Sequence, residues 1–152
     1  MKKFIKYLPI ILLILQCGLI FFFSGQNEES STNVSQSVVG SVLEVAPETA
    51  QNLNKKQYEM VELVVRKSAH FVLFLMMGIF AYLSAESLEL KKKVIMALVF
   101  CLAYAVFDEI HQFFIPGRSC EIRDVIIDFC GSLIGVLGIL HIKRKIRKEG
   151  KA

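Results

Sequence analysis

The sequence predicts an all-α polytopic membrane protein, a bundle of four transmembrane helices with a polar extracytoplasmic segment between helices one and two. Three observations carry that prediction. Of the 152 residues, 54% are hydrophobic and 21% charged, a composition more apolar and more blocky than a soluble domain of this size shows. The apolar residues gather into four runs, each near the length that a bilayer crossing needs. The cations gather at the ends of those runs. The net charge of +4 is therefore not a basic stripe interleaved with exposed aromatics, and nucleic acid is excluded as a partner.

The first span, about residues 4–23, follows Lys2, Lys3 and Lys6 and contains the run from Pro9 to Phe23. About 20 residues at ~1.5 Å each cover a ~30 Å hydrocarbon core. No Ala-x-Ala pattern follows the run, so it reads as an uncleaved helix and not as a signal peptide. Gln16, ahead of Cys17, stands where a lipoprotein cleavage site wants a small residue. Residues 24–65 form the polar extracytoplasmic segment, rich in Ser, Asn, Gln and Glu. Val34, Val38, Val42 and Val45 recur there near helical spacing, which predicts a short amphipathic helix on the membrane surface or the bundle, ended by Pro47.

The second span, about 69–85, belongs to a helix that starts near Glu59 and carries Arg66, Lys67 and His70 at its interfacial end. Arg66 and His70 stand one turn apart on a shared face. Glu86, Glu89 and Lys91 to Lys93 make a short turn. The apolar run from Val94 to Phe107 amounts to ~21 Å of helix, too short to cross. The third span, about 94–114, therefore continues through DEIHQFF and brings Asp108, Glu109, His111 and Gln112 to headgroup level, until Pro116-Gly117 stops it. The fourth span, about 125–142, ends in KRKIRK. Placing the amino terminus inside gathers Lys2, Lys3, Lys6, Lys91 to Lys93, Lys143, Arg144, Lys145, Arg147, Lys148 and Lys151 on the cytoplasmic side, so both termini are expected to be cytoplasmic. The whole chain, 1–152, reads as a single membrane domain.

That topology converges four polar clusters on the outer face: Ser24 and Gln26; Arg66, Lys67 and His70; Asp108, Glu109, His111 and Gln112; and Arg118, Asp124 and Asp128. Charge placed at such depth is usually functional. Asp108, His111 and Gln112 stand at i, i+3 and i+4, which predicts one helical face presenting an acid, an imidazole and an amide. Asp124 and Asp128 share a face of the fourth helix, and the stripe continues as Gly131, Gly135 and Gly138. The small-xxx-small spacing of Gly131 and Gly135 predicts close helix packing.

Plainer readings stand beside these. His70 also suits an interfacial histidine bonded to a neighbour, Asp128 a buried partner of Arg118 or Arg123, and Arg66 and Lys67 snorkelling residues. Glu121 and Arg123 read as solvated loop charges. Cys17, Cys101, Cys120 and Cys130 show no CxxC or Cys-His spacing, and no metal or cofactor is expected. No HExxH or GxSxG spacing occurs either.

The runs RKSAHFVLF and AYAVFDEIHQFFIPGRSCEIRDVIIDFCGSLIG resemble the VanZ-like family of small bacterial integral membrane proteins. Its pattern is R-K-x-x-H-F, followed later by D-E-x-x-Q-x-F-x-P-G-R and R-D-x-x-x-D/N-x-x-G. Ser24-Gly25-Gln26 fits a Ser-x-Gln that such proteins carry after the first helix. The pattern falls on Arg66, Lys67, His70, Phe71, Asp108, Glu109, Gln112, Phe114, Pro116, Gly117, Arg118, Arg123, Asp124, Asp128 and Gly131. One departure is visible: many members carry Glu-Tyr after the His-Phe pair, where this chain has Leu73-Phe74.

The resemblance implies a multi-pass protein of the bacterial cell membrane and a link to low-level resistance to the glycopeptide teicoplanin, without implying an activity. Two functions stay open. One is binding or modification of an envelope lipid, a lipid-linked cell-wall precursor or a lipoglycopeptide. There Arg118, His70 and Lys67 would face anionic groups, while Gln26, Gln112, Asp108 and Glu109 bond sugars or amides. The other is a membrane-embedded enzyme acting on a phosphate- or glycan-bearing lipid. Paired acids would serve as acid/base groups or ion ligands, Arg118 would stabilise charge, and His70 or His111 would move the proton. Membrane lipid is a partner in both.

Overall fold

Inside a bilayer every backbone N–H and C=O must be satisfied within its own segment, which favours helices. The computed structural model describes residues 2–45, 54–118 and 120–150, and among them there is no strand. The described residues form five helices: α1 (Lys2–Ser24), α2 (Glu28–Val45), α3 (Lys55–Ser87), α4 (Lys93–Phe113) and α5 (Ile122–Glu149). Four of them, α1, α3, α4 and α5, are long and apolar enough to cross a membrane. The protein is an all-helical, multi-pass membrane protein.

α3 is the hub and packs against each of the other four helices. It opens on a capping box: Asn54 Oδ1 accepts from the Gln57 amide at 3.0 Å, and Gln57 Oε1 accepts from the Asn54 amide at 2.9 Å. Its 33 residues make a rod of about 50 Å, well beyond a ~30 Å hydrocarbon core. One end therefore projects, and α2 packs along that projecting part. The buried face of α2 is Ser31, Ser35 and Val39, whereas Val34 and Val38 are about half exposed. Of the two placements open to this helix, α2 packs on the bundle through its serine side and not through Val34 and Val38: small serines let α2 approach α3, and Ser35 satisfies its hydroxyl on the Ser31 carbonyl at 3.0 Å. Pro47, expected to end this helix, lies outside the described residues, as do the side chains of Val42 and Val45.

α5 approaches α3 backbone to backbone. A Cβ on Gly131 would overlap the Phe71 carbonyl, one on Gly135 the Leu75 carbonyl, and one on Gly78 of α3 the Ser132 carbonyl. Ser132 Oγ donates to the Phe74 carbonyl at 3.1 Å across the same seam. Gly138, expected to continue the stripe, meets nothing within 4 Å and is exposed. On the other side of α3, α1 is tied by Gln16 Nε2 to the Leu73 carbonyl at 2.8 Å, and α4 is tied to α1 by the Tyr104 hydroxyl on the Cys17 carbonyl at 2.7 Å. The faces turned outward, with Ile14, Leu15, Phe22, Val99, Ile110 and Leu137 all exposed, suit contact with lipid tails.

The two ends of the bundle differ in charge. At one end Lys6 bonds Glu89 in the α3–α4 turn at 2.9 Å and so holds that carboxyl below its ordinary value, while Lys93 and Lys143 both pair with Glu86. The start of α1, the α3–α4 turn and the far half of α5 thus share that end. The opposite end gathers Ser24, Asp108 and Asp128.

Candidate functional site

The inward line of α4 is Ala97, Cys101, Ala105, Asp108 and Gln112, all buried. Small side chains let α4 settle deep in the bundle, and the same line then delivers an acid and an amide into the interior at the polar end. Asp108 is only 1% exposed, yet its Oδ2 accepts two hydrogen bonds: from Ser24 Oγ at 2.9 Å and from Gln112 Nε2 at 2.8 Å. Gln112 Oε1 accepts in turn from Arg118 Nη1 at 2.9 Å. Arg118 arrives through the turn after α4, where Gly117 takes φ 82°, a conformation that glycine alone adopts without strain.

His70 and Asp128 face this group from α3 and α5. His70 Nδ1 lies 4.0 Å from Asp108 Oδ2 and 4.0 Å from Asp128 Oδ2. Those separations are beyond a hydrogen bond. Asp128 is 1% exposed and its Oδ2 accepts no hydrogen bond. Of the arginines that its spacing offered, Arg118 bonds Gln112 and Arg123 stands 3.5 Å from Glu121, while His70 faces Asp128 without bonding it.

A cavity of about 370 Å³ reaches this cluster, with His70, Gln112, Arg118 and Asp128 in its wall. Arg66, Lys67, Glu121, Arg123 and Asp124 complete the polar lining, and Leu63 and Ile127 contribute apolar surface. Lys67 is bonded to Asp124 and stands 3.8 Å from Glu121. Glu121, expected as a solvated loop charge, is thus a half-buried wall residue. It begins the first turn of α5, which turns it back toward α3. Arg123 borders the cavity while its side chain stays 84% exposed.

Three candidates point elsewhere. His111 is not on the face of Asp108: its ring stacks on Phe21 of α1 with centroids 4.2 Å apart. An i+3 residue lies about 60° to one side of residue i and an i+4 residue about 40° to the other, so the rotation that buries Gln112 beside Asp108 turns His111 toward α1. Glu109, although buried, accepts from the Glu121 amide at 2.8 Å and so anchors the start of α5. Gln26 sits in the turn after α1, where its backbone N–H donates to the Phe23 carbonyl at 3.3 Å, and it is not part of the cavity wall.

Sequence spacing missed two structural partners. Ser24, expected in the outer-face polar cluster and in the serine-x-glutamine pattern but given no partner by spacing, is fully buried against Asp108. Gly78 was not singled out, and a glycine inside a long apolar run was its only mark.

The description VanZ/LLP1 belongs to the family model that matches residues 9–143 of the chain. No curated protein and no solved structure matches it.

Proposed function

The chain belongs to the VanZ/LLP1 family, and from that membership and the cavity at its polar end we propose that it binds the phosphate-bearing headgroup of an envelope lipid, such as a lipid-linked cell-wall precursor. The observation that carries this reading is the lining of the 370 Å³ cavity, where Arg66, Lys67, Arg118 and Arg123 stand beside His70 and Gln112. Guanidinium forks match phosphate oxygens in pairs, and the imidazole and amide suit sugar or peptide groups. Lys67, already shared between Asp124 and Glu121, is a cation that a phosphate can recruit. The exposed apolar side chains of Phe113, Phe114 and Ile126 nearby in sequence suit an acyl or isoprenoid tail.

The end that carries Lys6, Lys93 and Lys143 is the cytoplasmic one by the distribution of positive charge, which sets the cavity at the outer face of the bacterial membrane with both termini inside. A protein that holds a precursor headgroup there competes with a glycopeptide for it, and lowered susceptibility to teicoplanin follows. An enzyme acting on the same lipid is favoured by one feature, the partly buried His70 between two carboxylates.

Native mass spectrometry of the detergent-purified protein, titrated with phosphatidylcholine, phosphatidylglycerol and a pyrophosphate-linked precursor, tests this. The pyrophosphate lipid is retained in preference to phosphatidylcholine. Arg118→Ala weakens its binding roughly tenfold, the scale of one charge-assisted hydrogen bond, and Arg118→Lys recovers only part because the fork is lost. Equal retention of all three lipids, or unchanged binding in Arg118→Ala, sinks the proposal. Recovery of the lipid intact supports binding, and its cleavage supports the enzyme.

A further inference from the structure

We propose that His70, Asp108 and Asp128 hold a divalent transition-metal ion of the Zn²⁺ or Mn²⁺ type between α3, α4 and α5. One donor atom from each residue lies within 4.8 Å of the other two. An ion bound by imidazole nitrogen and carboxylate oxygen at about 2.1 Å keeps its ligands at most about 4.2 Å apart, and about 3.4 Å apart in a tetrahedron. The two separations of 4.0 Å from His70 Nδ1 fall inside that limit, and small side-chain rotations close the remainder.

A second observation points to the ligand independently of the grouping. Asp128 is 1% exposed, and its Oδ2, the oxygen nearest His70, has no hydrogen-bond partner. A buried carboxylate oxygen without a donor is costly, because its desolvation is not offset. His70 is too distant to donate to it, so the three groups surround a gap that a cation satisfies and a direct bond does not.

The supports around the group are those of a coordinated site. Ser24 and Gln112 both donate to Asp108 and fix its carboxylate, the outer bonds that orient metal ligands. His70 and Asp128 sit beside one of the close approaches of α3 and α5, where Gly131 packs on the Phe71 carbonyl, so their backbones are rigidly placed. One nitrogen and two oxygens suit Zn²⁺ or Mn²⁺ better than the all-oxygen sets preferred by Mg²⁺ and Ca²⁺. Three protein ligands leave coordination positions open. His70 and Asp128 also line the cavity, so those positions face the phosphate proposed to enter it; that last step alone rests on the headgroup reading.

The test uses the full chain in lipid-free detergent, stripped with a chelator, its tag removed, and titrated with Mn²⁺ or Zn²⁺ alone. Bound metal is counted by elemental analysis, and Mn²⁺ coordination by electron paramagnetic resonance. Wild type takes up one ion per chain. Asp128→Asn, which preserves shape, and His70→Gln each lose it, while circular dichroism reports retained helix. His111→Gln keeps it, since that ring lies on Phe21. Failure of the wild type to bind either ion above the level of His70→Gln overturns the proposal, and so does full binding by a folded Asp128→Asn. Because no lipid is present, neither failure bears on headgroup binding.

Discussion

At the residue scale, the polar end of the bundle separates side chains of one chemistry into different tasks. Asp108 and Glu109 are adjacent, acidic and both 1% exposed, but Asp108 turns into the helix bundle and Glu109 turns to the next helix's first amide. Glu109 therefore acts as a remote cap on α5, whose own start has no side-chain cap from Glu121. Glu109→Ala is expected to lower stability by about 1.5–3 kcal/mol, the range for a hydrogen bond to a charged group, and to speed hydrogen exchange at the Glu121 amide. Glu109→Gln keeps an acceptor and should retain most of the protection; equal exchange in all three proteins would remove this role from Glu109.

At the element scale, the seam between α3 and α5 sets the separation of the two helices that supply His70 and Asp128. Without a hydrophobic driving force between helices in lipid, close van der Waals packing and hydrogen bonds across the seam carry the association. Gly135→Ala places a methyl on the Leu75 carbonyl and should destabilise the bundle by about 1–3 kcal/mol, as overpacking does. Gly138→Ala meets nothing and gains helix propensity of up to ~1 kcal/mol, so it should be neutral or stabilising. Thermal unfolding of the two variants in the same detergent compares them, and similar melting temperatures would show that the seam tolerates separation. α2 rests on α3 by its serine face, which leaves Val34 and Val38 exposed.

At the scale of the whole molecule, an even number of spans returns both termini to the end that carries Lys6, Lys93 and Lys143, opposite the cavity. Cys120 is exposed in the turn between α4 and α5, at the cavity end. An impermeant thiol reagent should label it in intact cells, and should leave Lys92→Cys unlabelled until the membrane is opened. The reverse pattern would invert the topology. Partial desolvation and the nearby Glu109 carboxylate push the Cys120 thiol up from its ordinary value. The reactive thiolate is then scarcer near neutral pH, and labelling should accelerate as pH rises.

How much of this was legible in the chain depends on which physical constraint set each feature. By itself the sequence determined the number of crossings, because the bilayer imposes one length on every span: α4 needed Asp108 to Phe113 to cross and includes them. It also determined the composition of the polar end, since charge between apolar runs must collect where the runs stop. Helical spacing further identified Gly131 and Gly135 as small neighbours on one face. Only the tertiary structure decided how each helix rotates. Periodicity gives the angle between residues on one helix and no information about the direction of the next helix. His111 therefore went to Phe21 and Gln112 to Asp108, and α2 turned Ser31, Ser35 and Val39 to the bundle. The juxtaposition of His70 and Asp128 belongs to the same class: it depends on how closely the backbones of α3 and α5 approach, and that distance exists only once Gly78, Gly131 and Gly135 are in register.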